Sequence, residues 1–149
     1  MNKLYIVGIG PGGPEYMTRK AYRILQEADL IVGYTLYNDL LRREFPDKTY
    51  YSTAMTGERE RCLYALRAAE AGRKAVVVCS GDSGVYGMAS LVLELAEERG
   101  FEVEIEAVPG VTAALGAGAL AGAAVSGDFA AVSLSDLLTP WNVIEKRLR

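Results

Sequence analysis

The sequence predicts an α/β fold in which strands and helices alternate and the sheet is largely parallel. Three observations support it. Short apolar runs recur between segments whose apolar residues follow helical spacing. Two of those helical segments stop at a glycine, Gly72 and Gly100. One run, residues 75–78, is apolar throughout, as expected for a central strand that is buried on both faces.

Residues 1–34 carry the first strand–helix–strand unit. A short apolar strand at residues 4–7 leads into a glycine-rich turn at residues 8–14. A helix follows Thr18, whose hydroxyl can cap the first turn. The apolar positions of this helix follow helical spacing at Ala21, Ile24, Leu25 and Ala28. A second strand is predicted at residues 30–32.

The middle of the chain repeats the alternation. A short helix is predicted at residues 35–43 and a weaker strand at residues 48–52. Residues 58–71 form an amphipathic helix with acids in its first turn, and a glycine ends it. The apolar strand at residues 75–78 then leads to a helix over residues 88–99.

The last third of the chain completes one sheet and begins another. A strand is predicted at residues 103–108, and after an Ala/Gly-rich stretch a further strand is predicted at residues 129–134. Thr139 and Pro140 then mark a helix start, with the threonine as cap and the proline at the first helical position. This helix runs from Trp141 to the last residue.

Two domains are therefore expected. Residues 1–122 form the amino-terminal domain, and residues 123–149 are the first strand and helix of a second, incomplete α/β domain. One strand and one helix cannot bury their apolar faces alone.

Composition excludes several classes of site and partner. A net charge of −3 gives no electrostatic footprint for nucleic acid. The absence of histidine excludes Ser-His-Asp chemistry and histidine metal sites. Cys62 and Cys79 are too few for a zinc site or a disulfide framework and are typical of reduced thiols in a cytoplasmic protein. The longest weakly polar run, residues 111–125, is shorter than the ~20 residues of a membrane span, and no signal peptide is visible.

The most informative segment is the loop after the apolar strand. Its sequence is Ser80-Gly81-Asp82-Ser83-Gly84-Val85-Tyr86-Gly87-Met88, with three glycines around one carboxylate. Glycine lets a backbone approach a ligand closely, and ligands of open α/β sheets bind at the carboxyl ends of strands. The loop therefore favours a small polar cofactor. A glycine-rich turn that serves only to reverse the chain is the alternative.

The first turn matches a second kind of motif. Its sequence Gly8-Ile9-Gly10-Pro11-Gly12-Gly13 satisfies the G-x-G-x-x-G pattern of dinucleotide-binding folds. Pro11 and Pro14 argue against that use, because a helix cannot begin where a pyrophosphate would need its amides. The second strand also ends at Gly33-Tyr34, without an acid for a ribose. A dinucleotide-binding oxidoreductase domain remains as a disfavoured alternative.

Several motifs together resemble those of the tetrapyrrole methylases, which are S-adenosylmethionine-dependent enzymes of cobalamin and siroheme synthesis. In the order of that family, the motifs are Gly8-Ile9-Gly10-Pro11-Gly12, Ala28-Asp29, Ser80-Gly81-Asp82 and Pro109-Gly110-Val111-Thr112-Ala113-Ala114. Two segments resemble the precorrin-3B C17-methyltransferase branch, namely residues 80–88 and Leu134-Ser135-Asp136-Leu137-Leu138-Thr139-Pro140-Trp141. The resemblance covers the whole chain.

The resemblance implies two α/β domains with the cofactor in the cleft between them. It implies that S-adenosylmethionine is bound by Pro11, Ser80, Gly81, Asp82, Val85, Thr112 and Ala113. It implies that the tetrapyrrole substrate is bound by Gly10, Gly12, Tyr34 and Asp136. Simpler roles stay open for three of them: Thr112 as a helix cap, Tyr34 as a half-buried aromatic residue, and Asp136 as a loop acid.

The reaction implied is methylation of precorrin-3B or cobalt-factor III at C17 with ring contraction, giving S-adenosylhomocysteine. The sulfonium is already an activated methyl donor, so positioning and exclusion of water can supply most of the rate. No catalytic residue is identified, and Tyr34 and Asp136 are candidates for proton movements. Uroporphyrinogen methylases place Tyr-Asp where this chain has Gly33-Tyr34, which disfavours their activity.

The resemblance also implies a full second domain, of which this sequence carries the beginning. We expect the chain by itself to bind S-adenosylmethionine weakly or not at all, and to be inactive. An unpaired strand edge at residues 129–134 is expected to favour a homodimer. A non-catalytic α/β fragment is the remaining alternative.

Overall fold

The computed structural model describes residues 2–122, 125, 127–134 and 139–149. The strands are β1 (Lys3–Gly8), β2 (Leu30–Tyr34), β3 (Thr49–Thr53), β4 (Ala75–Cys79) and β5 (Glu104–Val108). They form a five-stranded parallel sheet in the order β3-β2-β4-β1-β5. The predicted α/β fold with a largely parallel sheet is therefore confirmed.

Strand β4 occupies the centre of the sheet, as its apolar sequence predicts. All five of its residues are buried. It pairs on one side with β1, where Val77 lies opposite Ile6, and on the other with β2, where Ala75 lies opposite Leu30. Covered on both faces and paired on both edges, this strand has no solvent-facing side that would select polar residues.

Four helices cover the two faces of the sheet, namely α1 (Arg19–Glu27), α2 (Thr35–Glu44), α3 (Glu58–Glu70) and α4 (Ala89–Arg99). Two more helices follow along the chain, α5 (Ala113–Leu120) and α6 (Trp141–Leu148). On one face, Leu95 of α4 packs in a buried cluster that includes Val77 of β4. On the other face, Leu25 of α1 and Leu41 of α2 pack in a cluster that includes Val76. Successive β4 residues thus contribute to opposite faces, as in any strand.

The chain diverges at the carboxyl ends of the two neighbouring strands β1 and β4. Strand β1 continues into α1 on one face of the sheet, and β4 continues into α4 on the other. In open α/β sheets such a divergence leaves a crevice, which is where ligands bind. The fold therefore brings both glycine-rich loops together at the carboxyl end of the sheet, where a ligand would bind.

Local signals at the helix ends behave as predicted. The Thr18 hydroxyl caps α1 by accepting a hydrogen bond from the Ala21 amide at 3.2 Å. Gly72 and Gly100 follow α3 and α4 with φ of +85° and +67°, a region that favours glycine. A 3-10 turn at Pro14–Tyr16 separates the glycine-rich turn from α1, so the helix does not begin at the glycines.

By contacts the chain divides into two compact units, Met1–Ala113 and Ala114–Arg149. The first unit contains the whole sheet. In the second, α6 is an amphipathic helix in which Ile144 is buried. No helix within the described ranges combines the length and apolarity that crossing a membrane requires.

Two predictions for the carboxyl-terminal part are wrong. Residues 129–134 are irregular rather than a strand. Strand propensity depends on tertiary context, so the composition of this stretch does not by itself determine a strand. Helix α6 begins at Trp141 with Pro140 as its N-cap and without a side-chain cap, so Thr139 does not cap it. The Pro140 carbonyl instead accepts the first hydrogen bonds of the helix, from the amides of Val143 at 2.9 Å and Ile144 at 3.2 Å.

Candidate functional site

Two glycines join the loops that follow β1 and β4. The Gly10 amide donates to the Gly81 carbonyl and the Gly81 amide donates to the Gly10 carbonyl, both at 3.0 Å. Their φ values are +74° and +65°, which side chains other than glycine rarely adopt. The reciprocal pair fixes the two loops against each other at the point where β1 and β4 diverge.

The loop after β5 approaches the same point through glycine. A Cβ atom added to Gly110 would lie 2.1 Å from the Gly81 carbonyl oxygen, and one added to Gly8 would lie 2.6 Å from it. Real Cβ atoms essentially never come so close. Three loops from adjacent strands therefore meet backbone to backbone, which leaves a floor of peptide groups rather than side chains.

Asp82 holds two of these loops together. Its Oδ1 accepts hydrogen bonds from the amides of Gly84 at 2.8 Å and Val85 at 3.1 Å, within its own loop. Its Oδ2 accepts one from the Gly110 amide at 2.9 Å, in the loop after β5. Desolvation alone would raise the pKa of this carboxyl, but the amides of Gly110, Gly84 and Val85 outweigh it and hold the pKa below its usual range. Asp82 is therefore an anion at neutral pH.

Buried polar groups hold the β4–α4 loop against strands β4 and β5. The buried Ser83 hydroxyl donates to the Val108 carbonyl at 3.1 Å. The Met88 amide donates to the Cys79 sulfur at 3.3 Å. Burial raises the pKa of the Cys79 thiol to about 11, so it stays neutral and serves as an acceptor rather than a nucleophile.

The predicted cofactor residues lie along this edge with different degrees of exposure. Gly81 is buried against the start of α5, where an added Cβ would lie 3.4 Å from the Ala113 amide nitrogen and 3.6 Å from the Thr112 Cα. Ser80, Pro11 and Ala113 are exposed, and Val85 is 44% exposed. The loops after β1, β4 and β5 thus bring the predicted cofactor residues to the carboxyl end of the sheet.

The predicted substrate residues are less tightly grouped. Gly10 belongs to the glycine pair, and Gly12 is exposed further along the same turn. Tyr34 ends β2, on the other side of β4, where its half-buried ring meets Tyr37 edge-on with centroids 5.3 Å apart. Asp136 lies outside the described residues.

The residue before Tyr34 is constrained to glycine by packing. A Cβ on Gly33 would lie 2.5 Å from a methyl carbon of Val78 and 2.6 Å from Oδ1 of the buried Asn38. The Asn38 amide group donates to the Tyr51 carbonyl at 2.9 Å and the Ser52 hydroxyl at 2.8 Å. The first turn of α2, which begins directly after Tyr34, is thereby fixed to β3.

Sequence reasoning missed four supporting residues. Gly8 and Gly110 permit the approach of the three loops, and Ser83 ties the β4 loop to β5. Thr18 donates its hydroxyl to the Pro109 carbonyl at 3.2 Å, in addition to capping α1. Both glycines stand in motifs that the sequence shows, but their close packing does not follow from those motifs. The Ser83 and Thr18 contacts join distant parts of the sequence and leave no local signal.

Comparison with known proteins agrees with this geometry. The family of Tetrapyrrole (Corrin/Porphyrin) Methylases matches residues 3–149. A protein of Salmonella typhimurium named probable cobalt-factor III C(17)-methyltransferase is 47% identical over 97% of this chain and 60% of its own length. The chain thus spans about three fifths of that relative.

Solved structures show the same fold. The crystal structure of the methyltransferase CobJ has a TM-score of 0.88 and 40% identity, covering 99% of this chain and 62% of that one. Uroporphyrin-III C-methyl transferase from Thermus thermophilus, in complex with S-adenosyl homocysteine, has a TM-score of 0.64 and 31% identity, covering 78% and 51%. The motifs, the fold and these matches agree, and the chain belongs to the tetrapyrrole methylase family.

Proposed function

We propose that the protein is an S-adenosylmethionine-dependent C-methyltransferase of cobalamin biosynthesis. Its substrate is a corrin precursor, precorrin-3B or cobalt-factor III, which it methylates at C17 with ring contraction. The observation that carries the proposal is the junction of three loops at the β1/β4 divergence, joined by the Gly10–Gly81 pair and by Asp82. The similarity to a relative named as a C(17)-methyltransferase supports the choice of reaction.

The cofactor site fits a charged, nucleoside-bearing ligand. The glycine floor puts no side chain between a ligand and the backbone of the three loops, and the Asp82 anion complements a sulfonium cation. The residues that would hold the cofactor are Pro11, Ser80, Gly81, Asp82, Val85, Thr112 and Ala113. Asp82 already accepts three amide hydrogen bonds, so its main contribution is to position the loops after β4 and β5. Its second contribution is its negative charge.

The substrate would lie against the turn after β1. Gly10, Gly12, Tyr34 and Asp136 are the proposed substrate residues. Bound S-adenosylmethionine supplies the activated methyl group, so this chain has to align a ring carbon with it and exclude water. Tyr34 and Asp136 are proposed to assist proton movements, and no residue is assigned as the catalytic base.

Organisation and location complete the proposal. We place the domain boundary between residues 122 and 123, with a second domain contributing the other wall of the cofactor cleft. The protein is proposed to be cytoplasmic, which the free, buried Cys62 and Cys79 support. A homodimer is also proposed; because residues 129–134 form no strand, its interface is not assigned to that edge.

Calorimetric titration with S-adenosylhomocysteine tests the proposed function, with NAD as the second ligand. We expect S-adenosylhomocysteine to bind weakly, NAD not to bind, and Asp82→Ala to abolish the signal. Asp29→Asn is the matched control. Asp29 also accepts a backbone hydrogen bond, from the Lys74 amide at 3.1 Å, but it precedes β2 and so lies at the amino end of the strands. Binding of NAD instead would overturn the proposal in favour of a dinucleotide-binding domain.

A further inference from the structure

An apolar cavity lies beside the turn after β1, outside the loop junction. Its volume is about 360 Å³, and it opens between that turn and helix α2. The apolar walls are Ile9, Pro14, Met17, Leu40 and Leu41, and Gly12 forms part of the rim. The cavity is at the small end of the ligand-pocket range of about 300–1,000 Å³, so it would take part of a large ligand rather than all of it.

Leu40 and Arg43 give the α2 side of the cavity both an apolar and a cationic component. Leu40 is 48% exposed, although it lines the cavity. Arg43 also lines it and has no ion pair within the described part of the chain. The other charged lining residue, Glu44, accepts a hydrogen bond from the Tyr22 hydroxyl at 2.6 Å. Arg43 is therefore the one cationic residue among the described residues that line the cavity, and it lies beside the Glu44 carboxylate.

The neighbouring Arg42 differs in just this respect. Its guanidinium lies over the Tyr50 ring, 4.2 Å from the centroid, and its Nε is 3.8 Å from an Asp39 carboxylate oxygen. It does not line the cavity. Helix α2 thus presents two adjacent arginines, of which one is engaged by the protein and one faces the cavity.

Resting on the proposed function, we propose that this cavity is a substrate subsite that accepts one pyrrole-ring edge of the tetrapyrrole, with Arg43 binding a carboxylate on that ring. Tetrapyrrole precursors combine a flat apolar macrocycle with acidic side chains, which matches apolar walls that include an arginine without an ion pair among the described residues. The subsite is continuous with Gly12, a proposed substrate residue. Arg43 and Leu40 would then help to set which ring of the macrocycle is presented for methylation.

Fluorescence titration of the chain with uroporphyrin III tests the charge. The probe carries carboxylates on every pyrrole ring. We expect Arg43→Gln to weaken its binding about fivefold, as for an exposed charge pair, and Arg42→Gln to leave it within about twofold. Both variants remove one positive charge from the same helix turn. Equal effects of the two variants would overturn the subsite, and so would failure of the wild-type chain to bind the probe.

A second pair of variants tests the volume. Leu40→Trp should fill the cavity and weaken probe binding by at least about tenfold. Leu93→Trp is the control, because Leu93 is 52% exposed on α4, which covers the other face of the sheet. Wild-type binding by Leu40→Trp would overturn the subsite.

Calorimetry with S-adenosylhomocysteine separates this proposal from the proposed function. All four variants should bind it as the wild type does. If the wild type binds NAD instead of S-adenosylhomocysteine while the uroporphyrin pattern holds, the proposed methyl transfer is refuted and the tetrapyrrole subsite stands.

Discussion

The Asp82 carboxylate offers the sharpest test of how the site is held together, because its two oxygens do different work. Oδ1 organises its own loop through Gly84 and Val85, and Oδ2 joins that loop to Gly110. Asp82→Asn can keep an oxygen at the Oδ1 position but puts an amide donor opposite the Gly110 N–H. Asp82→Ala removes all three hydrogen bonds.

The expected losses of stability follow from these contacts. A hydrogen bond to a charged group contributes about 1.5–3 kcal/mol, and a half-exposed acceptor belongs at the lower end. We therefore expect Asp82→Asn to lower the free energy of unfolding by about 1.5 kcal/mol. Asp82→Ala should cost about 3 kcal/mol, less than three full bonds, because water can replace Asp82 at the exposed Gly84 and Val85 amides. Urea denaturation followed by circular dichroism measures both.

Amide hydrogen exchange shows which of the three Asp82 hydrogen bonds is responsible for each loss of stability. In Asp82→Asn the Gly110 amide should exchange faster while those of Gly84 and Val85 keep their protection, and in Asp82→Ala all three should exchange faster. Asp29→Asn should leave the three amides unchanged. Wild-type protection of Gly110 in Asp82→Asn would refute the assignment of Oδ2 as the link between the loops.

Three further outcomes are expected from urea denaturation. Gly110→Ala should destabilise by at least about 1 kcal/mol more than Gly72→Ala, because Gly72 has a positive φ but open space around it; similar losses would contradict the close loop contact. Thr18→Val should lower the free energy of unfolding by about 1 kcal/mol and Thr18→Ser by much less, because serine keeps the hydroxyl. Equal losses in the two variants would contradict the roles of the cap and the Pro109 contact. The stability from Asp82 should be present above pH 3.8 and lost as the pH falls through its lower folded pKa, a component absent from Asp82→Asn.

Much of the fold could be predicted because its signals are local. The apolar run in β4 indicates burial on both faces, and Gly100 after α4 indicates a left-handed cap. Some observed strands run one or two residues past their predicted ends. Strand β2, for example, reaches Tyr34 because its pairing with β3 continues past the apolar run. Residues 129–134 have the composition of a strand, but pairing depends on a neighbour that composition does not supply.

The candidate site was predictable in its location but not in its connections. Glycines around Asp82 at the end of an apolar strand point to a binding loop. That Asp82 accepts from Gly110, 28 residues away, depends on β5 lying beside β1, which no local pattern encodes. The cavity beside α2 was also unforeseen, because Leu40 and Arg43 come together with Pro14 and Met17 only when the helix packs on the sheet.

A ¹H–¹⁵N NMR titration of the chain with S-adenosylhomocysteine tests the location of the cofactor site, because it detects weak binding and identifies the amides involved. We expect saturable shifts of the amides of Gly10, Gly81, Gly84, Val85 and Gly110, with no such shifts on adding NAD. Shifts confined to other parts of the chain, or the same shifts with NAD, would contradict the assignment of the cofactor site to the loops after β1, β4 and β5.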